Sequence, residues 1–131
     1  MPSFSGTSTA RLSGCDPSLI ALFNYVIEYY DCTVLCGFRT DAEQLRLFNS
    51  GASRVTKGRH NEFPSMAVDV APYPVDWDDL YRFYHFAGFT QGVAKMMGIK
   101  IRWGGDWDMD QDFTDQTFND LVHFEIAEEY I

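Results

Sequence analysis

The sequence predicts an α+β fold in a single small domain. Apolar residues recur at helical spacing in two long stretches and gather into short β-branched runs elsewhere, without the regular strand-helix alternation of a parallel sheet. The 131 residues are 46% hydrophobic and 16% aromatic, enough for one packed core and too few for two ordinary domains, so 1–131 is read as one unit.

The segment from Met1 to Asp16 is small and polar, with no apolar stretch to act as the centre of a signal peptide. Asp16 followed by Pro17 reads as an N-cap and first helical position, and Leu19, Ile20, Leu22, Phe23, Val26, Ile27 and Tyr30 continue a helix over 16–30. Thr33 to Phe38 is short, apolar and β-branched, which predicts a buried strand ending at Arg39-Thr40. Thr40 can cap a second helix, Asp41 to Phe48, stopped by Asn49-Ser50-Gly51. Ala52 to Pro64 is polar and punctuated, hence a loop, and Met66 to Ala71 is a second strand closed by Pro72 and Pro74. Asp76 opens a long helix with Leu80, Phe83, Tyr84, Ala87, Val93, Ala94 and Met97 on its apolar face, a stop at Gly98, and a break or kink expected at Gly88 or Gly92. Ile99 to Trp103 is a third strand, an acidic glycine-containing loop follows, and Val122 to Ile126 is a fourth strand.

Ten Lys and Arg against 19 Asp and Glu give a formal net charge of -9, which argues against nucleic acid and anionic membranes as partners. No apolar run approaches the roughly 20 residues that span a bilayer, so neither membrane insertion nor export is expected, and the chain is read as a cytoplasmic protein. Cys15, Cys32 and Cys36 are odd in number and too few to staple a small secreted fold. Cys32-x3-Cys36 has no second pair to complete a zinc site, so all three are expected to be buried structural thiols.

Asp69 is the residue that demands explanation. It lies inside an apolar strand between Val68 and Val70, and a buried carboxylate costs several kcal/mol unless a cation, a metal or strong donors compensate it. Two readings stand: a salt bridge or capping role with His60 and His123 unrelated to it, or a His60, Asp69, His123 zinc site with a fourth position open to water, the ligand count of catalytic zinc. Arg39 directly follows a buried strand, which would fix a cation at the edge of a cleft; a surface salt bridge with Asp41, Glu43 or another acid is the alternative. Asp106, Asp108, Asp110, Asp112 and Asp115 resemble a calcium loop in their alternate spacing, although the turn Gly and terminal Glu of an EF-hand are missing, and a solvated acidic loop is the other reading. His85 is expected to pack on its helix.

Taken together, His60-x8-Asp69-Val70-Ala71-Pro72-Tyr73, Arg102-Trp103-Gly104-Gly105-Asp106-Trp107, Asp120-x2-His123-Phe124-Glu125 and Gly37-Phe38-Arg39-Thr40 with Asp41 to Phe48 resemble the zinc peptidases that include D-Ala-D-Ala carboxypeptidases and phage L-alanyl-D-glutamate endopeptidases. The resemblance covers most of the chain in order. It implies a hedgehog/D-Ala-D-Ala peptidase-like fold, a short mostly antiparallel sheet flanked by helices. It also implies one zinc ion held by His60, Asp69 and His123, and Asp120 as general base three residues before the last His. Arg39 would contact substrate and stabilise the carbonyl oxygen as it becomes negative. Within a strand from Val122, Glu125 shares the parity of His123 and would orient it, whereas Asp120 precedes the strand with opposite parity and needs loop geometry to reach the site. Two departures from the family pattern stand out: Gly58 occupies the usual Ser place, and Asn61 to Ser65 lengthen the His-to-Asp interval by two residues, with Ser65 in the usual Gly place.

What the resemblance implies is a zinc peptidase acting on the peptidoglycan stem peptide. It would be a phage endolysin cutting the L-alanyl-D-glutamate bond, working as a monomer without a separate wall-binding domain and reaching the wall once the host membrane is permeabilised. A D-alanyl-D-alanine carboxypeptidase or dipeptidase, and a non-catalytic zinc-bearing wall-binding module, are the alternatives.

Overall fold

The structure is a computed structural model that describes residues 2–53, 55–112 and 119–127. Helices α1 (Gly6–Ser13), α2 (Pro17–Tyr29), α3 (Asp41–Asn49) and α4 (Leu80–Met97) surround a four-stranded sheet of β1 (Cys32–Cys36), β2 (Ala67–Pro72), β3 (Ile101–Gly104) and β4 (Asp120–Ile126). The strand order is β1-β2-β4-β3 and every neighbouring pair is antiparallel.

Strand alternation separates two functions of this sheet. Val34, Val68, Val70, Phe124 and Ile126 are buried with Leu19, Phe23 and Val26 of α2 and Phe86, Ala87 and Ala94 of α4, and Phe23 meets Phe124 edge-on at 5.5 Å between ring centroids. The alternate residues, Asp69 on β2 and His123 and Glu125 on β4, face the other way, toward the cleft beneath α3 and the 3-10 turn Arg59–Asn61.

Helix α1 was not expected, and its composition explains why. Only Leu12 among its apolar side chains is buried; the helix docks instead through hydrogen bonds, with Ser8 Oγ accepting from Val34 N at 3.0 Å and Arg11 Nη1 donating to Val34 O at 3.0 Å. These bonds satisfy the free edge of β1. The predicted α2 and α3 stand as expected, and α3 carries a full capping box between Thr40 and Glu43. Helix α4 begins at Leu80 rather than Asp76, because Asp76 caps a preceding turn by accepting from Asp78 N and Asp79 N. It runs unbroken through Gly88 and Gly92 and ends at Gly98, whose φ of +72° provides the left-handed stop.

Strand β4 is longer than expected and contains Asp120. Trp103 pairs with Phe124, yet the next residue, Gly104, pairs with Asp120, so β4 carries an irregularity that turns Asp120 toward the His123 side. A side chain on Gly104 would collide with the Asp120 carbonyl, so this close approach requires glycine.

Candidate metal centre

Cross-strand register assembles the centre. Asp69 lies opposite Cys36 on one side and His123 on the other, so β1, β2 and β4 contribute one residue each to a single rung. His60 arrives from the 3-10 turn, which is held in place by Arg39 N donating to His60 O at 2.8 Å and Met66 N donating to Arg59 O at 3.1 Å. The long interval between His60 and Asp69 is taken up by this turn and by Asn61, whose Oδ1 accepts from Gly58 N and whose Nδ2 donates to Arg39 O. Ser65 is buried, with its hydroxyl bonded to Ala67 O at 2.7 Å. A Cβ at Gly58 would meet only Val55, and Gly58 brings no hydroxyl to the site.

The two imidazoles converge on one oxygen. His60 Nε2 lies 3.1 Å and His123 Nδ1 3.3 Å from Asp69 Oδ1, and Asp69 is only 14% exposed. The far nitrogen of each ring is tied down: His60 Nδ1 donates to Gly37 O at 2.7 Å, and His123 Nε2 bonds Glu125 Oε1 at 2.8 Å. The remaining nitrogen of each ring faces the Asp69 carboxylate and, with no cation between them, donates its proton to it; exchange of those protons for a metal would leave two neutral histidine ligands and one carboxylate oriented by an outer shell. Asp69, Asp120 and His123 present ligand atoms within 4.8 Å of one another, as do Cys36, His60 and Asp69. The donor set of two nitrogens and carboxylate oxygen suits a borderline divalent ion such as zinc.

Electrostatics follow from this packing. Burial, the strongest influence on each group, opposes every charge here, and hydrogen bonds reverse it for most of them. Those from His123 and His60 hold Asp69 well below the usual carboxylate range. Bonds to Asp69 and Cys36 raise His60 from 6.5 to about 10, and bonds to Asp69 and Glu125 raise His123. Glu125, 3% exposed, is kept low by His123 and by Arg102, whose Nη2 lies 2.7 Å from its Oε2. Asp120 goes the other way: burial, then the nearby Asp69 charge, raise it. Its Oδ2 lies 4.0 Å from His123 Nδ1.

Arg39 makes no hydrogen bond or close ion pair with Asp41 or Glu43, and the acid it approaches is the largely buried Asp69 rather than a surface one. Its Nη1 donates to Gln44 Oε1 at 2.8 Å, while Nη2 reaches Cys36 Sγ at 3.4 Å and Asp69 Oδ2 at 3.7 Å. Cys15 and Cys32 are buried thiols that burial pushes up to about 12. Cys36 corrects the expectation for the third: it is partly exposed in the site, and although burial opposes it, the hydrogen bond with His60 lowers its pKa. Simple alternation groups Cys36 with Cys32 and Val34, and a register shift between Val34 and Cys36 turns it around. Trp107 stacks obliquely on His123 at 5.3 Å and takes the Arg102 guanidinium over its ring at 5.5 Å, completing a chain from Trp107 through Arg102 and Glu125 to His123.

The centre opens into a cleft of about 770 Å³, bordered by Leu47, Val55, Lys57, Trp107 and Asp108. The acidic loop lies to one side. Asp106, Asp108 and Asp110 converge within 4.8 Å, but Asp106 already accepts from Asp110 N and Gln111 N. Asp112 is not of that group: its amide donates to Asp110 Oδ1, and Asp115 lies outside the described residues. His85 accepts or donates a 2.9 Å bond with Tyr30 Oη on an exposed helix face, remote from the site. Among the described residues no helix is long and apolar enough to cross a membrane.

The profile of a family described as phage L-alanyl-D-glutamate peptidase matches residues 2–127. Over 121 residues, 86% of this chain and 87% of the other, the sequence is 31% identical to the L-alanyl-D-glutamate peptidase of Escherichia phage T5. The fold matches the crystal structure of the Serratia marcescens L-Ala D-Glu endopeptidase ChiX with a TM-score of 0.79 and 26% identity, covering 98% of this chain and 93% of that one.

Proposed function

The chain belongs to the phage L-alanyl-D-glutamate peptidase family, and on that premise we propose that it is a peptidoglycan hydrolase cutting the amide bond between L-alanine and D-glutamate of the stem peptide. The observation that carries the chemistry is the convergence of His60 and His123 on one Asp69 oxygen, with Asp120 beside them in an open cleft.

In this reading His60, Asp69 and His123 hold one zinc ion. The chemistry such an ion would supply there is polarisation of a carbonyl and of a water molecule near neutral pH. Asp120 would take a proton from the attacking water as general base and return it to the nitrogen of the departing D-glutamyl residue; the new carboxyl group then gives its proton to the freed amine, so one water and one amide become a carboxylate and an ammonium group. Its raised affinity for a proton suits a group that must both accept and release one. Arg39 supplies a fixed cation to the carbonyl oxygen as it becomes negative, and Glu125 keeps His123 aligned.

The D-alanyl-D-alanine carboxypeptidase alternative shares this chemistry, and the relatives' names favour the L-alanyl-D-glutamate bond over it. A non-catalytic zinc module would have no use for Asp120 against His123. The whole chain then acts as one monomeric catalytic domain, an endolysin made in the host cytoplasm that meets the wall after the membrane is breached. Defined muropeptides incubated with the zinc-loaded protein test the bond: a new N-terminal D-glutamyl product identified by mass is expected, and free D-alanine would replace this reading with the carboxypeptidase.

A further inference from the structure

We infer that Gln44 is a positioning residue that ties the Arg39 guanidinium to the cleft wall following α3, so that the aim of the cation and the place of the wall are set by one side chain. This rests on the functional reading above, in which Arg39 addresses the substrate.

Gln44 is the sole buried residue of α3, at 1% exposure, on a helix whose apolar Leu45 and Phe48 are exposed while this polar side chain points inward. An amide carries two N–H donors and an acceptor oxygen, and all of them are engaged here. Oε1 accepts from Arg39 Nη1 at 2.8 Å; Nε2 donates to Ser53 Oγ at 2.8 Å and to Val55 O at 2.7 Å. Packing alone does not call for this, since Leu or Met of similar size fills such a site without polar groups to satisfy. A fully bonded buried amide instead specifies one arrangement of everything it touches. One side of that arrangement is Arg39, whose other nitrogen faces Cys36 and Asp69, so the guanidinium is held at both ends of its fork. The other side is the segment containing Ser53, Val55 and Lys57, which lines the cleft. Ser53 Oγ also accepts from Val55 N at 3.3 Å, closing the turn on the amide.

Gln44→Met keeps the length of the side chain and removes all three bonds. Gln44→Glu keeps an acceptor for Arg39 but sets a carboxylate oxygen against the Val55 carbonyl. Both would be assayed for kcat and KM on the muropeptide, alone and with Arg39→Ala, together with metal content, thermal melting and the rate of tryptic cutting after Lys57. Loss of one supporting bond to a functional group typically costs about 10- to 100-fold. We expect Gln44→Met to lower kcat by that factor with metal retained, and to lower it less than about threefold when Arg39 is already Ala, because the group it acts through is gone. Gln44→Glu should keep kcat within about threefold, raise KM and speed tryptic cutting after Lys57. Full additivity of Gln44→Met with Arg39→Ala would overturn the proposal, as would a Gln44→Glu variant with wild-type KM and tryptic rate; the latter decides the matter if Gln44→Met does not fold. Wild-type protein that cuts no muropeptide would refute the functional reading instead, and the tryptic rates would still test the clamp, which unchanged protection in both variants would overturn.

Discussion

Glu125→Gln probes the metal centre without touching a proposed ligand. In the wild type Oε1 accepts from His123 Nε2 at 2.8 Å and Oε2 accepts from Arg102 Nη2 at 2.7 Å, with Glu125 3% exposed. An amide cannot satisfy both. If its oxygen stays with Arg102, its NH2 points at His123 Nε2, which must then be the unprotonated nitrogen. The ring proton moves to Nδ1, the atom that faces Asp69 Oδ1 at 3.3 Å, and the lone pair a metal needs is lost. If the amide turns over, donor meets donor at Arg102. Either way a charge-assisted hydrogen bond worth about 1.5–3 kcal/mol is given up. That corresponds to a loss of metal affinity of about 10- to 100-fold, the usual effect of removing a histidine ligand's outer partner. Competition with a chromogenic chelator measures the dissociation constant directly. A zinc affinity within about twofold of wild type would refute the claim that Glu125 sets the His123 tautomer. Glu125→Ala, which removes the acceptor of both His123 and Arg102, should in addition lower folding stability by about 1–3 kcal/mol in chemical denaturation.

Asp120→Asn should keep fold and metal while kcat falls by about 10²- to 10⁴-fold, the span of general acid-base catalysis, and an unchanged rate would remove Asp120 from the base role. Arg39→Ala should lower turnover with metal content unchanged, checked by steady-state kinetics beside elemental analysis; full activity would leave Arg39 only its contacts with Asp69, Cys36 and Gln44. The metal-free protein should be pH-sensitive in a stated direction. Because His60 is raised from 6.5 to about 10 in the fold, its contribution to stability is complete below 6.5 and lost as pH rises through about 10. Asp69 is lowered, so its contribution is present above 3.8 and lost as pH falls toward its folded value. Thermal melting of chelated protein should therefore decline from pH 7 to 10, and a flat profile over that range would contradict the His60 environment described here.

Much of the fold was legible because amphipathic spacing in 17–29 and 80–97 and the apolar run at 32–36 report burial directly. Asp69 was legible for the same reason turned around: a carboxylate between two core valines needs a partner, and the histidines supply it. What could not be read depends on departures from regular geometry. Asp120 has the wrong parity for the site in an ideal strand, and only the irregular pairing at Gly104 turns it inward. Cys36 is turned toward His60 by a register shift in β1. Gln44 is a polar residue on a helix whose leucines and phenylalanine are the expected inward side chains, and it looks solvated until the segment after α3 folds over it; α1 holds its place by polar bonds to β1 that hydrophobic periodicity cannot report.

The central claim is that His60, Asp69 and His123 hold the metal on which peptide hydrolysis depends. Its most direct test is zinc stoichiometry by elemental analysis, paired with muropeptide cleavage before chelation, after chelation and after zinc is restored, for the wild type and for His123→Ala. The wild type should carry one zinc per chain, lose cleavage on chelation and regain it with zinc, while His123→Ala carries substoichiometric metal and stays inactive. Cleavage that persists in the chelated wild type, or one zinc per chain retained by His123→Ala, would contradict the account.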